Sequence, residues 1–135
     1  PFVIATATAD ARTRVTHADL ASAVGLEPGD VFPQVYATSK LIALMEIAAA
    51  RVLLPRLAAD EMSVGVTVDI THAAATPVGA EVSATATLVG RDGKLYVFDV
   101  RARDPGGEVG HGTHKRAIVS VERLMAGAGK RGTGA

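Results

Sequence analysis

From Thr38 to Leu54 the chain reads TSKLIALMEIAAARVLL, a run of helical length that is apolar on nearly every side. Leu41, Leu44, Met45, Ala48 and Val52 form one stripe at helical spacing, and Ile42, Ala49 and Leu53 fill much of the rest. A helix of this kind is central to its domain, because a surface helix keeps a polar face. Pro55 ends the pattern, since it lacks the amide hydrogen and disfavours helical geometry in the residue before it. Upstream, Gly25, Pro28, Gly29 and Pro33 mark an irregular connection into the helix.

After Pro55 the period changes from helical to alternating. Met62 to His72, Ala80 to Val89, Lys94 to Arg103 and Val109 to Arg123 read as four long strands, and Arg12 to His17 as a short one with Arg12, Arg14 and Thr16 on its wet face. Residues 91–93 (RDG) and 104–107 (DPGG) are tight hairpin signals, and 76–79 (TPVG) a wider one. A helix this apolar requires the antiparallel sheet to curl around it, which is an α+β hotdog fold. One such domain is expected over residues 1–125. The last ten residues, AGAGKRGTGA at 126–135, have little to bury and are expected to be a disordered tail. A small curled sheet has open edges and leaves part of the helix uncovered, so a homodimer is expected to close it.

Composition removes several function classes. Fourteen basic residues balance fourteen acidic ones, so no overall field favours nucleic acid or an anionic membrane. Aromatic residues are 4% of the chain and Trp is absent, which makes base-stacking platforms improbable. With no cysteine there is no disulfide framework, thiol catalysis or thiolate metal site. His111 and His114 differ by an odd number and would point to opposite faces of a strand, a poor metal spacing, so no metal is expected. The opening PFVIATATAD is too short to span a bilayer and lacks the basic flank of a secretion signal, which leaves a cytoplasmic location as the expectation.

The chemistry-bearing residues are few. Glu46 interrupts the apolar helix, and Ile42, Ala49, Ala50 and Leu53 neighbour it at helical spacing. A buried carboxylate needs a partner or a job; the plainer reading is a surface residue paired with Arg51 or Lys40. His72 ends the strand VGVTVDITH, and its even number groups it with Val64, Val66, Val68 and Ile70 on one face. It is either a satisfied core residue or an acid/base group. Thr38 or Ser39 is expected to cap the helix, and Thr38 lies about 12 Å from Glu46 along a continuous helix. If both serve one substrate, His72 bridges them or one comes from another subunit.

Three segments, VFPQVYATSKLIALMEIAAARVLLPRL, VGVTVDITHAAATPVG and GHGTHKRAIVSVERL, in that order between Asp30 and Leu124, resemble the fluoroacetyl-CoA thioesterase family of hotdog enzymes. The resemblance implies a catalytic set of Thr38, Glu46 and His72, with Gly65 and Arg116 lining the acyl pocket and Phe32 as a lid. It implies coenzyme A as part of the substrate and no separate cofactor. The chain departs from the pattern at Gly29, where a second lid aromatic would stand, and at Ser39 and Lys40, so a differently shaped pocket mouth is expected.

The function that follows is hydrolysis of a short-chain acyl-CoA to free acid and CoA. A thioester needs an activated oxygen nucleophile and a stabiliser for the oxyanion, because the thiolate leaves readily. Glu46 is expected to hold the His72 tautomer, the sequence being compatible either with acylation of Thr38 or with activation of water by Glu46, and basic residues such as Lys40 or Arg51 are expected to be available to CoA phosphates. The alternatives are a hotdog dehydratase or hydratase and a non-catalytic acyl-thioester-binding dimer.

Overall fold

The computed structural model describes residues 7–134; residues 1–6 of the opening segment and Ala135 of the expected tail lie outside the described residues. Five strands form one antiparallel sheet: β1 (Thr8–Arg14), β2 (Glu61–His72), β3 (Glu81–Asp92), β4 (Leu95–Asp104) and β5 (Gly107–Ser120). The helix α1 (Thr38–Leu53) lies in the sheet's concave face, followed by a 3₁₀ turn at Leu54–Arg56 where Pro55 breaks the helical ladder. This is the expected hotdog arrangement. No helix among the described residues is long and apolar enough to cross a membrane.

The core lies between helix and sheet. Leu41, Leu44, Met45, Ala48, Ala49, Val52 and Leu53 of α1 are buried against inward residues such as Val82, Ala84, Phe98, Val100 and Val109. The small side chains of Ala48, Ala49, Ala84, Ala86 and Ala102 let the helix sit close to the strands, consistent with a core poor in aromatics. On the opposite side of α1, Ala43 and Ile47 are exposed, so the helix is less enclosed in one protomer than its sequence suggests.

The strand order is β1-β3-β4-β5-β2, which corrects the sequence expectation at one turn. Both tight turns form as read, with Asp92 opposite Leu95 and Asp104 opposite Gly107. The TPVG segment is not a hairpin. It belongs to an eight-residue crossing, residues 73–80, that carries the chain from β2 at one edge past the ends of β5 and β4 to β3. Thr76 is fully buried in the crossing and donates its hydroxyl to Asp104 Oδ2 at 2.8 Å, which fastens the crossing to the β4–β5 turn. Turn chemistry marks where a chain bends and not which strand it joins next.

β2 contains a second correction. Its pairing with β5 skips from Gly65 to Thr67, so Val66 is an extra, bulged residue. Each bulged residue reverses the inside-outside alternation of a strand. Before the bulge the odd positions Glu61, Ser63 and Gly65 face inward; after it the even positions Val68, Ile70 and His72 do. The single face proposed for Val64 through His72 therefore does not exist, and Val66 and Val68 are both substantially exposed on the free edge of the sheet.

At the C-terminus the expected continuation of β5 to Arg123 and the expected disordered tail are replaced by a helix, α2 (Val121–Thr133). Its ends explain it: Ser120 accepts a hydrogen bond from the Arg123 amide at 3.3 Å, Glu122 lies in the first turn, Lys130 and Arg131 in the last, and Gly134 closes it in the left-handed conformation. From Glu122 onward every described residue of this segment is exposed, so local capping and not burial defines it.

Candidate active site

The start of α1 and the end of β2 meet. Ala37, not Thr38 or Ser39, occupies the cap position, and no side chain caps this helix end. Thr38 is the first helical residue, and its Oγ1 lies 2.7 Å from His72 Nδ1. The approach depends on Gly110, opposite His72 in the ladder: a Cβ there would stand 2.7 Å from the Thr71 carbonyl and 3.1 Å from Leu41 of α1. His72 Nε2 is buried and has no hydrogen-bond partner within the protomer.

Thr38 and His72 open into a cleft of about 380 Å³ lined also by Phe32, Pro33, Val35, Tyr36 and residues 73–75. Phe32 is half exposed at its rim, and nothing stands within 4 Å of the place where a Gly29 side chain would begin. The first amides of α1, at Thr38 and Ser39, have no intrahelical acceptor, so the helix presents its positive end beside the Thr38 hydroxyl.

Glu46 lies in a different cluster. Its Oε2 accepts from Arg116 at 2.9 Å, and neither Arg51 nor Lys40 is its partner; Arg51 instead donates to the Asp10 carbonyl at 2.8 Å. Arg116 is buried on β5 and also donates through Nε to Ser63 Oγ at 3.0 Å and through its second terminal nitrogen to the Ser63 carbonyl at 2.9 Å. Gly65 closes the cluster. A Cβ at Gly65 would collide with Glu46 Oε2 and approach the His114 ring to 3.2 Å, so glycine is what permits the carboxylate to sit against β2.

The six residues singled out in the sequence thus separate into two groups. Thr38, His72 and Phe32 share one cleft, while Glu46, Arg116 and Gly65 share a polar knot farther along α1. Glu46 and His72 do not hydrogen-bond within one protomer, so the expected carboxylate support of the imidazole is not made inside a single chain. His114 went unrecognised as a site residue. The signal was present: it is two positions from Arg116 on one strand and so must share its face.

The family described as fluoroacetyl-CoA-specific thioesterase matches residues 15–122 of this chain. The fluoroacetyl-CoA thioesterase of Streptantibioticus cattleyicolor is 41% identical over 95 residues, which are 70% of this chain and 68% of that protein. A solved structure of the fluoroacetyl-CoA thioesterase superposes with a TM-score of 0.88 at 31% identity, over 96% of this chain and 98% of the other. A thioesterase superfamily member from Thermus thermophilus superposes with a TM-score of 0.82 at 26% identity, over 95% and 94% of the two chains.

Proposed function

The chain belongs to the fluoroacetyl-CoA-specific thioesterase family and is a hydrolase of acyl-CoA thioesters, and from that premise we propose that Thr38 is its nucleophile and His72 its general base. The observation that carries this assignment is the 2.7 Å separation of Thr38 Oγ1 and His72 Nδ1 at the wall of the cleft. With Nδ1 accepting, the hydroxyl proton passes to His72 as Oγ1 attacks the thioester carbonyl. The amides at the start of α1 stabilise the oxyanion, the carbon–sulfur bond breaks, and the CoA thiolate leaves with the proton from His72. Water then gives a proton to the same imidazole as it attacks the acyl carbonyl, and His72 returns that proton to Thr38 Oγ1 as the carbon–oxygen bond breaks and the acid leaves.

In that tautomer His72 Nε2 carries a hydrogen that is buried without an acceptor, which costs about 1–3 kcal/mol unless something supplies one. A homodimer supplies it. β2 is a free edge bearing the exposed apolar residues Met62, Val66 and Val68, the kind of edge that pairs with another strand. Antiparallel pairing of β2 with the same strand of a second copy, about a two-fold axis at Asp69, sets residue 67 of one chain opposite residue 71 of the other, and the extra residue at 66 then brings residue 65 opposite residue 72. The partner copy's Glu46, which lies against its Gly65, is then the acceptor for His72. The acyl site belongs to both subunits, and its substrate is a short-chain acyl-CoA.

Steady-state release of free thiol from acetyl-, fluoroacetyl-, propionyl- and butyryl-CoA tests the activity, with release expected from the wild type. Mass spectrometry after rapid quench tests the nucleophile: an acyl adduct is expected on Thr38, and turnover by Thr38→Ala at the wild-type rate would remove Thr38 from the mechanism. Light scattering should give the mass of two chains at micromolar concentration, and full activity at the mass of one chain would exclude the shared site.

A further inference from the structure

His114 is 1% exposed, on β5, with its ring 6.3 Å from that of Phe98 and its two nitrogens committed to different tasks. Nδ1 lies 2.8 Å from the Thr67 carbonyl, which can only accept, so Nδ1 carries the hydrogen. Nε2 lies 3.2 Å from a terminal nitrogen of Arg116, which can only donate, so Nε2 is a lone pair. Two independent partners select one neutral tautomer.

Each contact fixes a part of the Glu46 knot. The Arg116 nitrogen that reaches His114 is the one that donates to Glu46 Oε2, so its two hydrogens are divided between imidazole and carboxylate. Thr67 is the first paired residue after the bulge, and its bond to His114 holds the bent segment that lays Gly65 against Glu46. Remove the ring, and one guanidinium hydrogen loses its acceptor while the bulge loses its tie. We infer that His114, as the neutral Nδ1–H tautomer, is a positioning residue that aims the Arg116–Glu46 pair for thioester hydrolysis; this rests on the reading of Glu46 as a member of the site.

Protonation of His114 would undo the arrangement, because a hydrogen on Nε2 would face the hydrogens of Arg116. The groups around the ring are Arg116 on its own strand, Glu46 from α1, the Thr67 carbonyl from β2 and the apolar Phe98 from β4. Burial opposes the charged form, and Arg116 adds to that effect, while the Thr67 carbonyl and Glu46 act against it.

The first test is histidine-selective ¹⁵N NMR of the whole wild-type protein. It should show His114 with Nδ1 protonated and Nε2 bare at neutral pH; the opposite tautomer, or a doubly protonated ring, would overturn the inference whatever the variants do. The second is His114→Asn, whose amide nitrogen can still donate to Thr67 but whose shorter side chain places no acceptor at the Nε2 position for Arg116. Its kcat should fall about 10- to 100-fold, the scale of a small misplacement of a catalytic group, with KM for acetyl-CoA changed less than about threefold. In a Glu46→Gln background the same substitution should cost less than about threefold, because groups acting through one another are not additive. Equal losses in both backgrounds, or an unchanged kcat in His114→Asn, would overturn it. Free thiol released by the wild type checks the underlying reading separately, and its absence would remove that reading and the inference with it.

Discussion

The Thr38–His72 pair and the Glu46–Arg116 knot are opposite solutions to placing polar groups beside a hydrophobic core. At the first, one hydrogen bond joins a hydroxyl to an imidazole whose other nitrogen is buried and unpartnered, and the pair opens to a cleft. At the second, Arg116 makes bonds to Glu46, His114 and Ser63 that occupy four of its five N–H donors. The first pair has the open geometry that the proposed proton transfer and acylation require. The multiply bonded knot is built to hold a carboxylate in one direction, and substitution should therefore damage the two in different ways.

The largest effect should separate them outright. His72→Ala should lower kcat by about a hundredfold or more, as expected when a general base is removed, with little loss of thermal stability. Glu46→Gln should lower both: turnover falls, and the buried Arg116 charge loses its counterion. Removing one member of a fully buried pair costs about 3–5 kcal/mol; Glu46 keeps 38% of its side-chain surface exposed, so a loss of about 1–2 kcal/mol is expected in urea unfolding. A Glu46→Gln variant with wild-type stability would break the contrast.

Gly65→Ala is the next sharpest. The new methyl meets the carboxylate and the His114 ring at once, and overpacking of this kind costs about 1–3 kcal/mol. Turnover should fall with it while Thr38 and His72 stay in place, which a crystal structure of the variant would check. Unchanged stability would show that the knot is softer than its hydrogen bonds imply.

Acid should reveal the difference by calorimetry. The His114 pKa is lowered from the ordinary 6.5, chiefly by burial. Above pH 6.5 the ring is neutral folded or unfolded and contributes no pH dependence; below it the unfolded chain takes up a proton that the folded chain resists. Stability should therefore fall as pH drops below about 6.5, and the fall should be shallower in His114→Asn. An identical pH profile in the variant would remove His114 from the acid response.

The smallest effect concerns the cleft. With Phe32 at the rim and open space at Gly29, the cleft is not closed on all sides. Each accommodated methylene is worth about 0.8 kcal/mol, or about fourfold in kcat/KM. Hydrolysis of short acyl-CoAs without strong preference for the fluoroacetyl group is expected, and Phe32→Ala should weaken discrimination among them more than it raises KM for CoA esters. A fluoroacetyl preference of thousands-fold over acetyl would show that Gly29 leaves no gap that matters.

What could be read in advance divides along physical lines. The apolar helix, the two tight turns and the meeting of Thr38 with His72 follow from local periodicity, turn residues and a motif resemblance. The placement of β2 beside β5 does not, because an eight-residue crossing is compatible with more than one neighbour, and the Thr76–Asp104 bond that fastens it joins residues 28 apart in sequence. The partner of Glu46 was likewise invisible to helical spacing: Arg116 is 70 residues away. The spacing of His114 from His111 speaks only to metal binding, whereas its shared face with Arg116 makes it a neighbour of that guanidinium. The C-terminal segment has little to bury, and burial is not the criterion for a helix that its caps define.

The bulge at Val66 turns the length of one strand into a constraint on inheritance. Gly65 and His72 are seven residues apart, an odd separation that would put them on opposite faces of a regular strand, and one extra residue brings them to the same face. Deleting or inserting a single residue between them would leave every side chain of the site in the gene and send one of its halves out of the molecule. Functional relatives should therefore keep the length of this interval or alter it by two residues at a time, whatever substitutions they accept within it.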